Sequence, residues 1–302
     1  MASELKISVA ILTYNAEKYI KDAVVSIVNQ DYPGDIEILI AYDEGTTDRT
    51  LQVLEELKEL IPPRRSLVIF RHKHTTPFRA RIYSLENFTG DYVHLFDYDN
   101  IMPLNRISKV VEHIGRTGAE FLFSNARIID SRGHDTGKFL VRIEDPYSIL
   151  ELIRGNFIDT STIVISRSCA KRLVDLLTKL KHRYFDQLHE DWLIALLAMK
   201  HCKVHYMDDT YILYRVHGTN ITVSPDIFTQ LFGKEKTFKT LLAFYLLGYG
   251  DLNEAERKEL QRAIINYSSF LNRQLITHMN SKYIKLFYYL ERILCKILLK
   301  LR

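Results

Sequence analysis

The stretch YVHLFDYDN, Tyr92–Asn100, ends an apolar run with two aspartates, Asp97 and Asp99, one on each side of a tyrosine. In an extended chain side chains alternate, so Asp97 and Asp99 point the same way. Two like charges that close repel and raise one another's pKa. The pair therefore calls for something positive beside it: a metal ion, an arginine or a lysine. Taken alone, an Asp-x-Asp more often reads as a solvated loop carrying two acids, and the surrounding chain has to decide between the two.

Upstream of this stretch, strand and helix patterns alternate. KISVAILTY (6–14) has the apolar content of a buried strand, and residues 16–30 carry apolar side chains at helical spacing. IEILIAY (36–42) predicts a second strand, 47–60 a helix stopped by Pro62 and Pro63, SLVIF (66–70) a third strand, and 79–88 a short helix. Residues 91–97 are then the fourth strand. Such alternation predicts an α/β fold with a mostly parallel sheet covered by helices on both faces. Ligands in these sheets bind beyond the carboxyl ends of the strands. Three polar clusters lie at those ends: Thr13, Tyr14 and Asn15; Asp43 and Glu44; Asp97 and Asp99. Further on, 119–130 and 160–166 read as strands, 168–181 and 190–200 as helices, and everything from Pro225 as helical. The change near residue 225 divides the chain into 1–224, with halves 1–100 and 101–224, and a helical C-terminal region, 225–302.

The bulk composition excludes several classes. The chain has 302 residues, 47% hydrophobic and 26% charged, which suits a folded domain with a large core. A net charge of +4 is too mild to argue for nucleic acid. Cys169, Cys202 and Cys295 are scattered, so neither a disulfide framework nor a zinc site is expected, and a reducing, cytoplasmic location fits. The N-terminus reads as a first strand and not as a signal peptide. The longest apolar patch, 241–250, is too short to span a bilayer.

Five segments in order resemble family 2 glycosyltransferases of the GT-A fold. They are ISVAILTYNAEKYIKDAVVSIVNQDY, IEILIAYDEGTTDRT, ARIYSLENFTGDYVHLFDYDN, HEDWLIALLA and YRVHGTNIT. The likeness runs from about residue 6 to 222. It departs from the family pattern at Glu44, where a second Asp is usual, at Ile82, Ser84 and Phe88, and at Asn100, where a third Asp is common. The C-terminal third is not covered.

The resemblance implies a nucleotide-sugar donor, most often UDP-linked, and a divalent cation, Mn2+ or Mg2+, to balance its diphosphate. Residues 1–100 would be the nucleotide-binding half and 101–224 the acceptor-binding half. Asp99 is expected to bind the metal, and Asp97 to hold the ribose or the metal through water. Asp43 is expected to accept from the base, with Thr13, Tyr14, Asn15 and Glu44 around the same pocket. Arg81 is expected near the diphosphate, or else is a helix-surface charge. His217 is expected to touch the diphosphate or the metal, or else is structural. Asp191 stands where the family places the base that deprotonates the acceptor hydroxyl; otherwise Glu190-Asp191 is an acidic first turn. Glu190 is expected on a different helix face, with a different task. Trp192 and Arg215 fall on the acceptor side, Trp192 either stacking on a sugar or packed in the core. The reaction implied is a direct displacement with inversion, on a saccharide or lipid-linked saccharide acceptor.

Residues 281–302 carry an apolar stripe with Lys285, Arg292, Lys296 and Lys300 off it. A basic amphipathic helix suits an anionic membrane surface, here the inner face of the cell membrane, or else packs on protein. Competing readings of the whole are a catalytically silent nucleotide- or sugar-binding module on the same fold and an Asp-x-Asp phosphatase. The phosphatase motif expects Thr or Val where Ile101 stands, and it follows a first strand instead of a fourth. No GxGxxG follows the first strand, which argues against a dinucleotide enzyme.

Overall fold

A computed structural model describes residues 4–218 and 227–278, without the side chains of 227–231 and 272–278. The elements run β1 (Ile7–Thr13), α1 (Ile20–Val28), β2 (Ile36–Asp43), α2 (Thr50–Lys58), β3 (Arg65–His72), α3 (Pro77–Asn87), β4 (Tyr92–Asp97), α4 (Arg106–Thr117), β5 (Phe121–Ile129), β6 (Asp135–Phe139), α5 (Ile149–Arg154), β7 (Val164–Ser166), α6 (Arg167–Leu177), α7 (Glu190–His201), β8 (Val204–Arg215), α8 (Ile227–Gly248) and α9 (Glu254–His278). The strands form one sheet in the order β3-β2-β1-β4-β7-β5-β6, with β8 beside β5. β1, β2, β3 and β4 are mutually parallel, as are β5 and β8, while β7 is antiparallel to β4 and β5.

Both faces of the sheet are buried, and alternation along each strand divides the side chains between them. Val9 and Ile11 of β1 pack with α1 and α2, whereas Ala10 packs with α3 on the opposite face. In β4, Val93 and Leu95 go one way and Phe96 the other. The turn into β4 requires glycine: a Cβ on Gly90 would lie 2.7 Å from the Lys6 carbonyl oxygen and the Ser8 nitrogen. Strand order reverses at β1, where β2 and β3 lie to one side and β4 to the other. Leu12 and Asp97 are register partners at that point, and a crevice opens beyond them.

α4 was not expected from the sequence, and it buries Arg106 completely. The guanidinium donates to His94 Nε2 (3.2 Å), Ser124 Oγ (2.9 Å) and the Thr162 carbonyl (2.9 Å), joining α4 to β4 and β5. Burial first, and Arg106 second, push His94 down to about 3, so it stays neutral and can accept. The stretch 160–166 also differs from expectation. Only Val164–Ser166 is strand; Thr160–Thr162 is a 3-10 turn capped by Asp159, whose carboxylate takes the Ser161 N–H at 2.9 Å.

One expectation about the outer parts of the chain needs correction. Cys169 and Cys202 are joined in a disulfide, 33 residues apart in sequence. Side-by-side packing of α6 and α7 brings them together, which spacing alone does not reveal, and the argument from scattered cysteines to a reducing compartment falls with it. α8 and α9 pack onto the main body: Phe238, Leu241, Phe244, Leu260 and Ile264 belong to the same core as α3, α6 and α7. Among the described residues no helix is long and apolar enough to cross a membrane. Residues 281–302, with their basic stripe, lie outside the described residues.

Candidate functional site

A cleft of about 790 Å³ opens over the carboxyl ends of β1, β2 and β4, and Thr13, Asp43, Arg81, Asp97, Asp99 and Asp191 all line it. At one end stands Asp43, the last residue of β2. Its Oδ1 accepts from the Gly45 N–H (2.7 Å) and meets His74 Nδ1 (3.0 Å), and its Oδ2 accepts from the Thr75 N–H (3.2 Å). Burial alone would raise this carboxyl, but those three partners hold it below the usual range. About four lone-pair sites on a carboxylate leave Asp43 room for one more donor. Tyr14, half exposed, lies with its ring centroid 5.3 Å from that of His74, forming an aromatic rim beside Asp43.

The Asp97-Tyr98-Asp99 turn is braced from three directions. Ser161 Oγ takes the Asp97 N–H (3.0 Å) and donates to Asp97 Oδ2 (3.1 Å). Asn100 is buried; its amide donates to Ser161 Oγ (2.8 Å) and its Oδ1 accepts from the Arg215 N–H (2.9 Å). Arg215 is buried as well, and its Nε donates to the Asp99 carbonyl at 2.8 Å. Asn100 and Arg215 therefore hold the turn's backbone and do not line the cleft. His217 Nε2 stands 3.0 Å from Asp99 Oδ2, at the cleft wall.

Arg81 is the central cation. It is 2% exposed, on α3, with Nη2 3.7 Å from Asp97 Oδ1. The alternative of a helix-surface charge is excluded by that burial. Its Nε and Nη1 have no hydrogen-bond partner among the described residues. Buried donors left unmade cost about 1–3 kcal/mol each, more on a charged group, so a guanidinium held this way awaits an acceptor from outside the chain. Around it lie more acids than it can balance. Burial pushes Asp97 up to about 7, with Arg81 opposing and Asp99 and Glu190 adding to the rise. Asp159 is raised well above its usual value by burial, then by Asp97 and Asp191.

The first turn of α7 also borders the cleft: Glu190 and Asp191, adjacent in sequence and so on different sides of the helix, both line it. Burial raises both, Asp191 adding to the rise of Glu190 and Arg81 opposing it in each. Asp191 Oδ1 accepts from the Trp192 N–H (2.7 Å) and Oδ2 from Asn156 Nδ2 (3.1 Å), which fixes the carboxylate plane. Trp192 is 3% exposed and its indole donates to the Leu152 carbonyl at 2.7 Å. It is a core residue and offers no face to a sugar.

Asn15 and Glu44 are likewise not among the lining residues; both are exposed. Asn15 adopts a positive φ of 50° and its Oδ1 takes the Thr47 N–H at 2.8 Å, so it builds the turn below the site. The family departures at Ile82, Ser84 and Phe88 are all buried on α3 or its end and alter packing, not the cleft. Sequence reading missed Asn156, Asp159, Ser161, His74, Arg183 and Lys236. Asp159 had a signal, an acid two residues before a buried serine-threonine turn; the others had none.

The model of the family described as Glycosyl transferase family 2 matches residues 8–184. A protein of Haemophilus influenzae named as an uncharacterized glycosyltransferase is 26% identical over 197 residues, 65% of this chain and 73% of its own. TarS of Staphylococcus aureus, named poly(ribitol-phosphate) beta-N-acetylglucosaminyltransferase, is 23% identical over 271 residues, 87% of this chain and 44% of its own. The crystal structure of its residues 1–349 with UDP-GlcNAc matches at a TM-score of 0.64 and 18% identity, covering 92% of this chain and 77% of that one. The mannosyltransferase PcManGT of Pyrobaculum calidifontis, solved with GDP-Man and Mn2+, matches at 0.55 and 14% identity over 98% of this chain and 85% of its own. These solved structures share the fold.

Proposed function

The chain belongs to glycosyl transferase family 2, and from that premise we propose a specific reaction. It moves a sugar from a UDP-linked donor to a hydroxyl of a saccharide or lipid-linked saccharide, with inversion and with Asp191 as the base. The observation that carries the reading is Arg81, buried against the cleft with two N–H-bearing nitrogens that find no partner among the described residues. A diphosphate supplies the matching acceptors. Asp43 has capacity for one donor from the base, and the Tyr14–His74 rim gives the base a face. The UDP-GlcNAc complex of TarS supports a uridine donor by analogy.

A divalent cation fits the donor set. Among the described residues no group of three or more His, Cys, Asp or Glu side chains is placed to hold a metal ion. Asp99 Oδ2 and His217 Nε2, 3.0 Å apart, with Asp97 nearby, offer a partial set. Hard cations at such sites take their remaining ligands from substrate phosphates and water, and the Mn2+ complex of PcManGT is consistent with this. Mn2+ or Mg2+ held by Asp99 and His217 would offset charge on the departing diphosphate.

The chain's own part is then clear. Asn156 and the Trp192 N–H aim the Asp191 carboxylate at the acceptor hydroxyl, leaving lone pairs on both oxygens for its proton. The hydroxyl oxygen bonds to the anomeric carbon as the bond to the diphosphate breaks, and Asp191 keeps the proton. Burial raises the basicity of this carboxylate. A panel of UDP-sugars scored for transfer tests the assignment. Asp191→Asn should lower kcat by roughly 10²–10⁴ while UDP still binds; undiminished turnover would remove Asp191 from the mechanism.

A further inference from the structure

Two cations that the donor does not require also line the cleft, Arg183 from the 3-10 turn Arg183–Asp186 and Lys236 from α8. α8 is fastened over the first turn of α7: the His189 N–H donates to Thr240 Oγ1 (2.9 Å) and His189 Nε2 meets the Gly233 carbonyl (3.3 Å). Lys236 lies on that same helix face between Gly233 and Thr240, and its ammonium is 4.8 Å from the centroid of the Phe232 ring. Two other cations nearby are paired with carboxylates, Arg79 with Asp186 (2.7 Å) and Lys239 with Glu235 (2.6 Å). Arg183 and Lys236 make no ion pair among the described residues. Two cations without an ion pair, brought to one cleft from separate elements, with Lys236 close enough to Glu190 to be felt by it, attract an anion there.

We propose that Lys236 and Arg183 form a subsite for a negative group on the acceptor, so that the acceptor is a phosphate- or carboxylate-bearing saccharide. The inference rests on the reading of the cleft as a glycosyl-transfer site. Phosphate and carboxylate share the chemistry that recognises these cations, charge-assisted hydrogen bonding.

The test is a set of binding titrations with glucose, glucose 6-phosphate and glucuronate, each with UDP and Mn2+ present, on wild type, Lys236→Gln, Arg183→Gln and the double variant. Wild type should bind one or both anions at least about fivefold more tightly than glucose, and the phosphate and carboxylate arms show which charge it reads. The preference should shrink in each single variant and vanish in the double. Equal binding of all three sugars by wild type, no binding of any, or a preference that survives the double variant overturns the proposal. UDP titrated alone separates the two levels. If wild type does not bind UDP, the transfer reading fails and this inference with it. If the substitutions weaken UDP but leave the anion preference intact, the cations belong to the donor and only this inference fails.

Discussion

At the floor of the cleft Arg81 carries a charge that burial makes costly and that Asp97, at 3.7 Å, only partly offsets. Arg106, buried as deeply, has all three guanidinium nitrogens engaged by the chain. The contrast between these two buried arginines separates a ligand-directed cation from a structural one. A second contrast concerns the base. Asn156 donates to Asp191 and fixes its own amide by accepting from the Ile158 N–H at 3.0 Å. This bond favours the ionised carboxylate, so its removal raises the Asp191 pKa. Asn156→Ala should therefore move the acid limb of the rate profile up by about half to one pH unit, from a bond of about 0.5–1.5 kcal/mol. A pH–rate series on the variant checks it; an unmoved limb with lower kcat would make Asn156 merely structural. At this scale Asp43, Asp97, Asp99 and Asp191 were legible in sequence because strand ends and the resemblance mark them. Asn15, Glu44 and Trp192 were misplaced, because adjacency to a strand end or a base does not fix the direction of a side chain in a turn.

The elements follow the hydrophobic pattern where it is strong. β1 to β4 and α1 to α3 lie within a few residues of expectation, since each has a run of β-branched residues or a clear helical stripe. α4, β6 and α5 were not foreseen: α4 mixes buried Arg106 and His113 into its core face, and all five residues of β6 are exposed. β6 presents no apolar period, whereas α4 carries Ile107, Val110 and Ile114 at helical spacing, a signal the sequence reading passed over. The α6–α7 pair matters most to function, since α7 carries Glu190 and Asp191 at its start and Cys202 caps its end. The bond from Cys202 to Cys169 ties that end to α6. A loop of this length gives a disulfide contribution of about 2–4 kcal/mol. Reduction should lower Tm by roughly 3–6 °C, measured by thermal unfolding with and without a reductant, and Cys202→Ser should be insensitive to the reductant. An identical Tm in both conditions would contradict the role of this bond.

At the scale of the molecule, the eight strands of the described residues and the helices around them hold the walls of one cleft together. The α/β architecture was legible because strand-helix alternation admits few alternatives. The union of α8 and α9 with the main core was not, since helical periodicity says nothing about which surface a helix meets. The basic stripe of residues 281–302 suits a lipid-linked acceptor, which would bring the chain to an anionic membrane surface. Chain lacking 281–302 should then lose flotation with phosphatidylglycerol liposomes, and unchanged flotation would remove the membrane from the account. The central claim is that the cleft holds a nucleoside diphosphate through Arg81 and the Asp99 side. Calorimetric titration of UDP into wild type, Arg81→Met and Asp99→Ala, each with and without Mn2+, tests it most directly. The account predicts binding by wild type that Mn2+ strengthens, a loss of about 10–100-fold in Arg81→Met from charge-assisted bonds to phosphate, and a Mn2+ effect abolished in Asp99→Ala. UDP affinity equal in all three proteins, or none in wild type, would contradict it.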